Sequence, residues 1–374
     1  MIADHFDHLA DPRRAQGRLH RLDHILTIAL CAVVSGADGW DDIAAFADAF
    51  EPWLTERLKL RHGVPSADTI RRVVAAIAPE AFERGFARWV ASVAERTAGE
   101  IIAIDGKTLR RSYDTDDPRA MLHMVSAWAS SQQIVLAQQA VDAKSNEITA
   151  IPALLDVLDV RGCIVTIDAM GTQTAIAAQI REQGADYVLA LKGNHKTLSG
   201  EVRDFFGTLA RAPGQGAFAC YAETREIGHG RKEVRRLWAS EDLDWLAERK
   251  RWSGLRSVVM IESERHAGGG AVTRQRRYFL SSLGAETASD AERLLGAVRS
   301  HWGIENRVHW VLDVAFREDE SRVRRDHGAA NLSVVRRLGL NLLRSTATVR
   351  KRSLRMKRKM AGWSPDFLTA VVGV

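Results

Sequence analysis

A chain of 374 residues is long enough for two or three domains with sizeable cores. Its early apolar run, Ile25 to Val34, is too short to span a bilayer and lies behind a polar stretch, so neither a signal peptide nor a membrane span is expected and a cytoplasmic location is the default. The formal charge is only +6, yet between His327 and Pro365 there is no acidic residue, while Arg336, Arg337, Arg344, Arg350, Lys351, Arg352, Arg355, Lys357, Arg358 and Lys359 are basic, an asymmetry that favours a polyanionic partner such as nucleic acid over a solvated tail.

Residues 1–98 read as helical. Ile25 to Val34 predicts one apolar helix and Trp40 to Phe50 a second, with Ile43, Phe46 and Phe50 at helical spacing. Ser66 is a candidate N-cap for a third, which carries Ile70, Val73 and Val74 and also Arg71 and Arg72; Pro79 precedes another with Phe82, Phe86 and Val90. The helix after GVPS suits the reading helix of a helix-turn-helix, and a plain helical bundle fits the same pattern. Cys31, Cys163 and Cys220 lie far apart without CxxC spacing and read as buried thiols. His5 with His8 and His20 with His24 have ligand-like spacing, but no cysteine joins them in a zinc site.

From residue 100 the period changes. Ile101 to Ile104 is an apolar run of the kind a strand covered on both faces produces, and it ends in Asp105. Asp-Gly is also a turn signal, so Asp105 is either a turn residue or a carboxylate presented at a sheet's rim. The GKT at Gly106 to Thr108 is no P-loop, because the required first glycine is Ile101 here. Segments 122–130 and 133–141 predict two more strands, 149–159 a helix, 163–170 a strand, 172–183 a helix and 185–193 a strand. That order is the order of an RNase H-like α/β domain. Asp168 ends its strand as Asp105 does, and Thr172, directly before the next helix, is the better candidate for its cap.

After Asn194 a helix over 196–210 leads into strand-like segments around 218–227, 232–239, 255–264 and 272–280, with turns at 228–230 and 268–270. This β-rich insertion carries Arg225, Arg231, Lys232, Arg235, Arg236, Arg274, Arg276 and Arg277, either as solvated faces or as a surface for a polyanion. A helix over 290–316 follows, with a Ser289/Glu292 capping box. Leu294, Leu295, Val298, Trp302, His309, Leu312 and Phe316 form its apolar stripe, and Glu305 falls near the middle. A carboxylate there needs an arginine or a cation. With two strand-end aspartates also seeking a partner, a shared magnesium or manganese ion is the more economical account.

The stretches IIAIDGKTLRRS, VTIDAMGTQ, YVLALKGNH and especially HWGIENRVHWVLDVAFREDESR closely resemble the DDE transposases of bacterial insertion sequences, in the H-repeat-associated (ISAs-type) group. The likeness extends to the amino-terminal DHFDHLADPRRAQGRLHRLDHIL. It implies an α/β RNase H-like catalytic domain (99–193 and 286–345) with a β-rich insertion (194–285), preceded by an all-helical N-terminal DNA-binding domain (1–98) and followed by a basic tail (346–374). Carried over, it makes Asp105, Asp168 and Glu305 the catalytic, metal-binding triad, with Glu318 and Asp319 as rivals of Glu305 in a polar run. Where related enzymes surround the glutamate with Tyr, Arg and Lys, this chain has Val298, His301 and Leu312. The nominated DNA contacts are Lys107, Arg110, Arg111, Lys192, Asn194, His301 and Asn306, with Arg71 and Arg72 on the amino-terminal helices.

The implied chemistry uses two Mg2+ or Mn2+ ions roughly 4 Å apart. It cuts double-stranded DNA at the element's terminal inverted repeats and joins the 3′ hydroxyl to target DNA, in a homodimer or larger synaptic complex that is nucleoid-associated when bound. Two alternatives stand beside it: an RNase H-like nuclease that only cuts, and a catalytically silent DNA-binding regulator descended from a transposase.

Overall fold

The computed structural model describes residues 2–95, 98–112, 121–141, 147–211, 220–228, 231–266, 272–349 and 351–373. The chain divides into two compact units, Met1–Glu95 with Gly106–Leu158 and Glu305–Val374, and Arg96–Asp105 with Asp159–Ile304. Their boundaries differ from those of the four segments expected from the sequence.

Helices α1 (Leu22–Val34), α2 (Trp40–Ala49), α3 (Glu51–Leu58), α4 (Ala67–Ala76) and α5 (Pro79–Val93) belong to the first unit. Strand β1 (Ile101–Thr108) runs from the second unit into the first, followed there by β2 (His123–Ala129), β3 (Ile134–Val141) and α6 (Glu147–Asp156). The second unit then holds β4 (Ile164–Ile167), α7 (Thr174–Glu182), β5 (Asp186–Leu191), α8 (Lys196–Arg211), β6 (Cys220–Gly228), β7 (Arg231–Ser240), β8 (Ser257–His266), β9 (Val272–Ser281) and α9 (Ala288–Ile304). The chain returns to the first unit through a π-helical turn, Glu305–His309, and ends in α10 (Trp310–Phe316), α11 (Gly328–Ser345), α12 (Leu354–Trp363) and α13 (Pro365–Val372).

In the first unit α11 is the axis of the core. Leu332, Val335, Leu338, Leu340 and Leu343 are buried along it, and it packs on α1, α4 and α5. Ser66 caps α4 as expected, accepting the Thr69 N–H at 3.4 Å, and the free carbonyls of Val74 and Ile77 at its other end accept from Asn331 Nδ2 at 2.7 and 2.9 Å. Asn341 performs the same service for β3, exchanging two hydrogen bonds with the backbone of Val135 at 2.9 and 2.8 Å. The expected basic tail is a correction: it forms α12 and α13, and part of its charge is inside. Lys357 Nζ donates to Leu343 O at 2.6 Å, and Arg358 donates to Val33 O at 2.9 Å while lying 4.4 Å from the Phe316 ring centre. Lys351, Arg352, Arg355 and Lys359 are exposed, and Arg350 lies outside the described residues.

In the second unit the sheet is parallel over β1, β4 and β5 and antiparallel from there through β9, β8, β7 and β6. The expected insertion strands therefore extend one sheet: β5 pairs β9 from Val188↔Ser281 to Leu191↔Tyr278. The turns expected at 228–230 and 268–270 fall, apart from Gly228, outside the described residues. Helix α9 covers this sheet, burying Ala291, Leu294, Leu295 and Val298 with Val188, Leu237, Val259 and Phe279. Its capping pair is Thr287 and Asp290, with Asp290 Oδ2 accepting the Thr287 N–H at 2.9 Å, instead of Ser289 and Glu292. The single helix expected through Phe316 is interrupted by the π turn. A π turn holds more residues than an α turn, so it resets the phase of the apolar stripe. Glu305 is consequently exposed, whereas Val308, His309, Leu312 and Phe316 are buried.

Candidate active site

Backbone register brings two of the expected residues together. Parallel β1 and β4 pair from Ile101↔Ile164 to Ile104↔Ile167, so Asp105 and Asp168 each follow directly on the last paired residue of two neighbouring strands. Asp168 follows the end of β4, and Asp105 lies within β1 just past its parallel pairing with β4, toward the carboxyl side of the parallel strands, where open α/β sheets place ligands. Strand β5 pairs Ile167↔Leu189, which brings Lys192, exposed, to the same rim just past the strand's end.

The loop after β4 is tied down locally. Asp168 Oδ1 accepts the N–H groups of Met170 at 3.0 Å and Gly171 at 3.3 Å, which fixes the carboxylate's orientation. Thr172 is not the helix cap the sequence suggested: it is buried, and its hydroxyl can donate to Asp168 O (3.0 Å) and to Ala190 O (2.7 Å), while Gln173 occupies the N-cap position. Asn194 Nδ2 donates to Ala169 O, and His195 bonds Thr172 O at 2.6 Å, so the loops after β4 and β5 form one hydrogen-bonded rim. His301 projects from α9 toward β4, its Nδ1 lying 3.0 Å from Thr166 Oγ1. Burial pushes its pKa down to about 4 against the pull of the Asp168 charge, so the ring is neutral at physiological pH. The ring is a hydrogen-bonding group and not a cation.

Other nominated residues fall elsewhere. Lys107 is buried in the first unit, with Asp313, Glu318 (3.0 Å) and Asp319 (3.3 Å) around its ammonium. Burial opposes the charge, but Glu318 and Asp313 raise the lysine's pKa nonetheless. Its charge is used inside the protein, which corrects its nomination as a DNA contact. Glu318 is buried as well and pairs with Arg337 at 3.1 Å; burial works against its ionisation, yet Arg337 and Lys107 hold its pKa down to about 2. It is a structural carboxylate, and its rivalry with Glu305 ends there. Arg110 is exposed 3.3 Å from Asp319, Arg111 is exposed, and Arg71 and Arg72 both pair with Asp68 one turn away on α4. Glu305 and Asn306 open the π turn and are exposed.

Among the described residues no group of three or more His, Cys, Asp or Glu side chains is placed to hold a metal ion. The carboxylates of Asp105 and Asp168 are hard oxygen donors of the type magnesium and manganese take. Thr166 is not among the residues the sequence singles out, although it lies one residue before Ile167 on the apolar strand leading to Asp168, an unusual place for a hydroxyl. The arginines of β6–β9 are mostly paired: Arg236 with Glu223 (2.9 Å) and Glu264 (3.2 Å), Arg276 with Glu262 (2.8 Å), Arg274 with Glu264 (3.1 Å). Arg277 lies 4.6 Å from the Trp302 ring centre.

A sheet with a parallel centre and a helix laid over it, with Asp105 and Asp168 directly after the paired residues of two neighbouring strands, define an α/β protein. No helix among the described residues is long and apolar enough to cross a membrane. The family model described as Transposase DDE domain matches residues 96–342, and the one described as DDE_Tnp_1-associated matches residues 3–90. The chain is 39% identical over 371 residues to "Putative transposase YncI" of Escherichia coli O157:H7, covering 96% of this chain and 91% of that protein. It is 35% identical over 380 residues to "H repeat-associated putative transposase YhhI" of Escherichia coli strain K12, covering 99% and 97%. With "Uncharacterized protein in dhlA 3'region" of Xanthobacter autotrophicus it shares 47% identity over 285 residues, 75% of this chain and 94% of that one. The chain belongs to the DDE transposase family.

Proposed function

We propose that this protein is an insertion-sequence transposase with an RNase H-like catalytic fold, which cuts DNA at the ends of its element and joins the freed 3′ hydroxyl to target DNA. The observation that carries the reading is the Ile104↔Ile167 register, which aligns Asp105 with Asp168 in a chain of this family. Asp105, Asp168 and Glu305 would hold two Mg2+ or Mn2+ ions. When bound, such ions lower the pKa of water and offset the charge that develops on the phosphate and the leaving oxygen.

The chain's own groups supply the rest. The two backbone N–H groups on Asp168 Oδ1 hold the carboxylate in one orientation. Lys192 at the same rim would pair with a backbone phosphate, and Thr166 keeps the neutral His301 ring in one position. No serine or tyrosine nucleophile is required, because water and then the 3′ hydroxyl attack phosphorus directly. Joining two element ends calls for at least two copies of the chain, acting in the bacterial cytoplasm on nucleoid DNA.

The test is strand cleavage and joining on labelled DNA carrying the sequences that flank the gene, with magnesium or manganese, comparing the native protein with Asp168→Asn. Metal-dependent products that include joined strands, made by the native protein alone, are expected. Cleavage without joining would replace the reading with a nuclease, and binding with no cleavage by either protein would replace it with a regulator.

A further inference from the structure

The first unit contains a cavity of about 1100 Å³ whose lining, among the described residues, includes Arg307, Arg344, Arg352 and Lys357 and no aspartate or glutamate. This is unlike the unit's groove beside α4, where Asp68 and Glu320 stand among Arg71 and Arg317. The cavity's cations come from three places that meet there, the π turn, the end of α11 and the start of α12.

Arg344 is the informative one. Its guanidinium lies 4.6 Å from the Trp128 ring centre and Nη2 donates to Arg307 O, but Nη1 is buried with no hydrogen-bond partner among the described residues. Burial, and then the neighbouring Arg307 charge, push its pKa down to about 9. A guanidinium taken out of water beside a second cation is costly unless an anion accompanies it. No carboxylate among the described residues pairs with Arg307, Arg344 or Arg352, and the first and last of these are exposed. Asn306 and Gln133 add neutral hydrogen-bonding groups to the same wall.

We infer that this cavity is a phosphate-binding site, occupied by backbone phosphates of a DNA strand. A guanidinium nitrogen left without an acceptor can donate to a phosphate oxygen, and flanking cations follow a backbone from one phosphate to the next. The source of the phosphate rests on the functional reading, since Glu305 is followed directly by Asn306 and Arg307, so one turn would carry a metal ligand and the first cation of the pocket. The phosphate chemistry itself does not depend on that reading.

The test uses the full chain with Asp168→Asn and without divalent metal, so that binding is separated from cleavage. Fluorescence anisotropy with labelled duplex DNA is measured across a salt series, and calorimetry is run with pyrophosphate. Arg307→Gln/Arg352→Gln alters two exposed side chains, Arg344→Lys keeps the charge but loses the fork, and Arg274→Gln/Arg276→Gln alters paired arginines of the insertion as a control. The pocket double variant is expected to bind DNA at least tenfold more weakly, with the slope of log affinity against log salt reduced by about 2. The control is expected to change by less than twofold, and Arg344→Lys to weaken binding while the thermal melt stays native-like. Unchanged affinity and salt slope in the pocket variants, together with unchanged pyrophosphate binding, would overturn the site. Loss of pyrophosphate binding with DNA affinity untouched would overturn the DNA assignment in favour of a small free phosphate. If the unsubstituted pocket binds pyrophosphate and no DNA, the functional reading fails while the phosphate site stands.

Discussion

The extended sheet of the second unit and the α11 core of the first are both rich in arginine, and they treat it in opposite ways. On β6–β9 the arginines stand across from glutamates on neighbouring strands, so Glu264, with Arg236, His266 and Arg274 around it, has its pKa lowered to about 2. Around α11 the cations are buried and held by carbonyls, by one carboxylate network, or, at Arg344, by a ring and an unfilled donor. Density of positive charge in the sequence is therefore a poor guide to where a polyanion binds. What distinguishes a binding surface is charge left without a partner.

Substitutions can break this contrast, and the largest effect is expected in the buried network. Glu318→Gln leaves the Arg337 and Lys107 charges short of their counter-ion and should cost about 3–5 kcal/mol in urea unfolding, since removing one member of a buried pair strands the other. A cost near 1 kcal/mol would mean that water already screens the cluster.

Next in size is Glu83, on α5 at the edge of β3. Its Oε1 accepts the Ala140 N–H at 3.0 Å, and burial pushes its pKa up to about 8 from 4.5. A raised carboxyl pKa favours folding while the group is protonated. The contribution is full below pH 4.5, falls by up to about 1.4 kcal/mol per pH unit as pH rises, and is gone once pH passes 8. Glu83→Gln should flatten the stability profile of the native protein between those limits, as read by denaturant unfolding at a series of pH values. A profile as steep as the native one would assign the slope to another group.

The smallest effect belongs to the paired surface of the insertion. Arg276→Gln removes a half-exposed ion pair with Glu262 and should change stability by less than 1 kcal/mol. A larger loss would make the charge ladder part of what holds β8 to β9.

Much of the fold was legible because it rests on local rules. The apolar runs before Asp105 and Asp168, the Ser66 cap and the order of strands and helices from 101 to 191 all appear where periodicity placed them. The register that aligns the two aspartates was not legible, because it is set by pairing between strands some sixty residues apart. The π turn escaped for a different reason: laying residues out at a fixed 100 degrees assumes an uninterrupted α-helix, so Glu305 was assigned to a buried stripe that the turn moves it off. Lys107 and the cations of α11 and α12 were misread as available charge because a buried arginine and a solvated one look alike in composition. Arg344 acquires meaning only when Trp128 and Arg307 are seen around it.

The central claim is that Asp105 and Asp168, aligned by β1 and β4, hold divalent metal. The most direct measurement is a Mn2+ titration followed by electron paramagnetic resonance on the full chain, comparing the native protein with Asp105→Asn and Asp168→Asn and checking each variant's fold by circular dichroism. Binding by the native chain that weakens at least tenfold in either variant is the predicted result. Equal Mn2+ binding by all three folded proteins would contradict it.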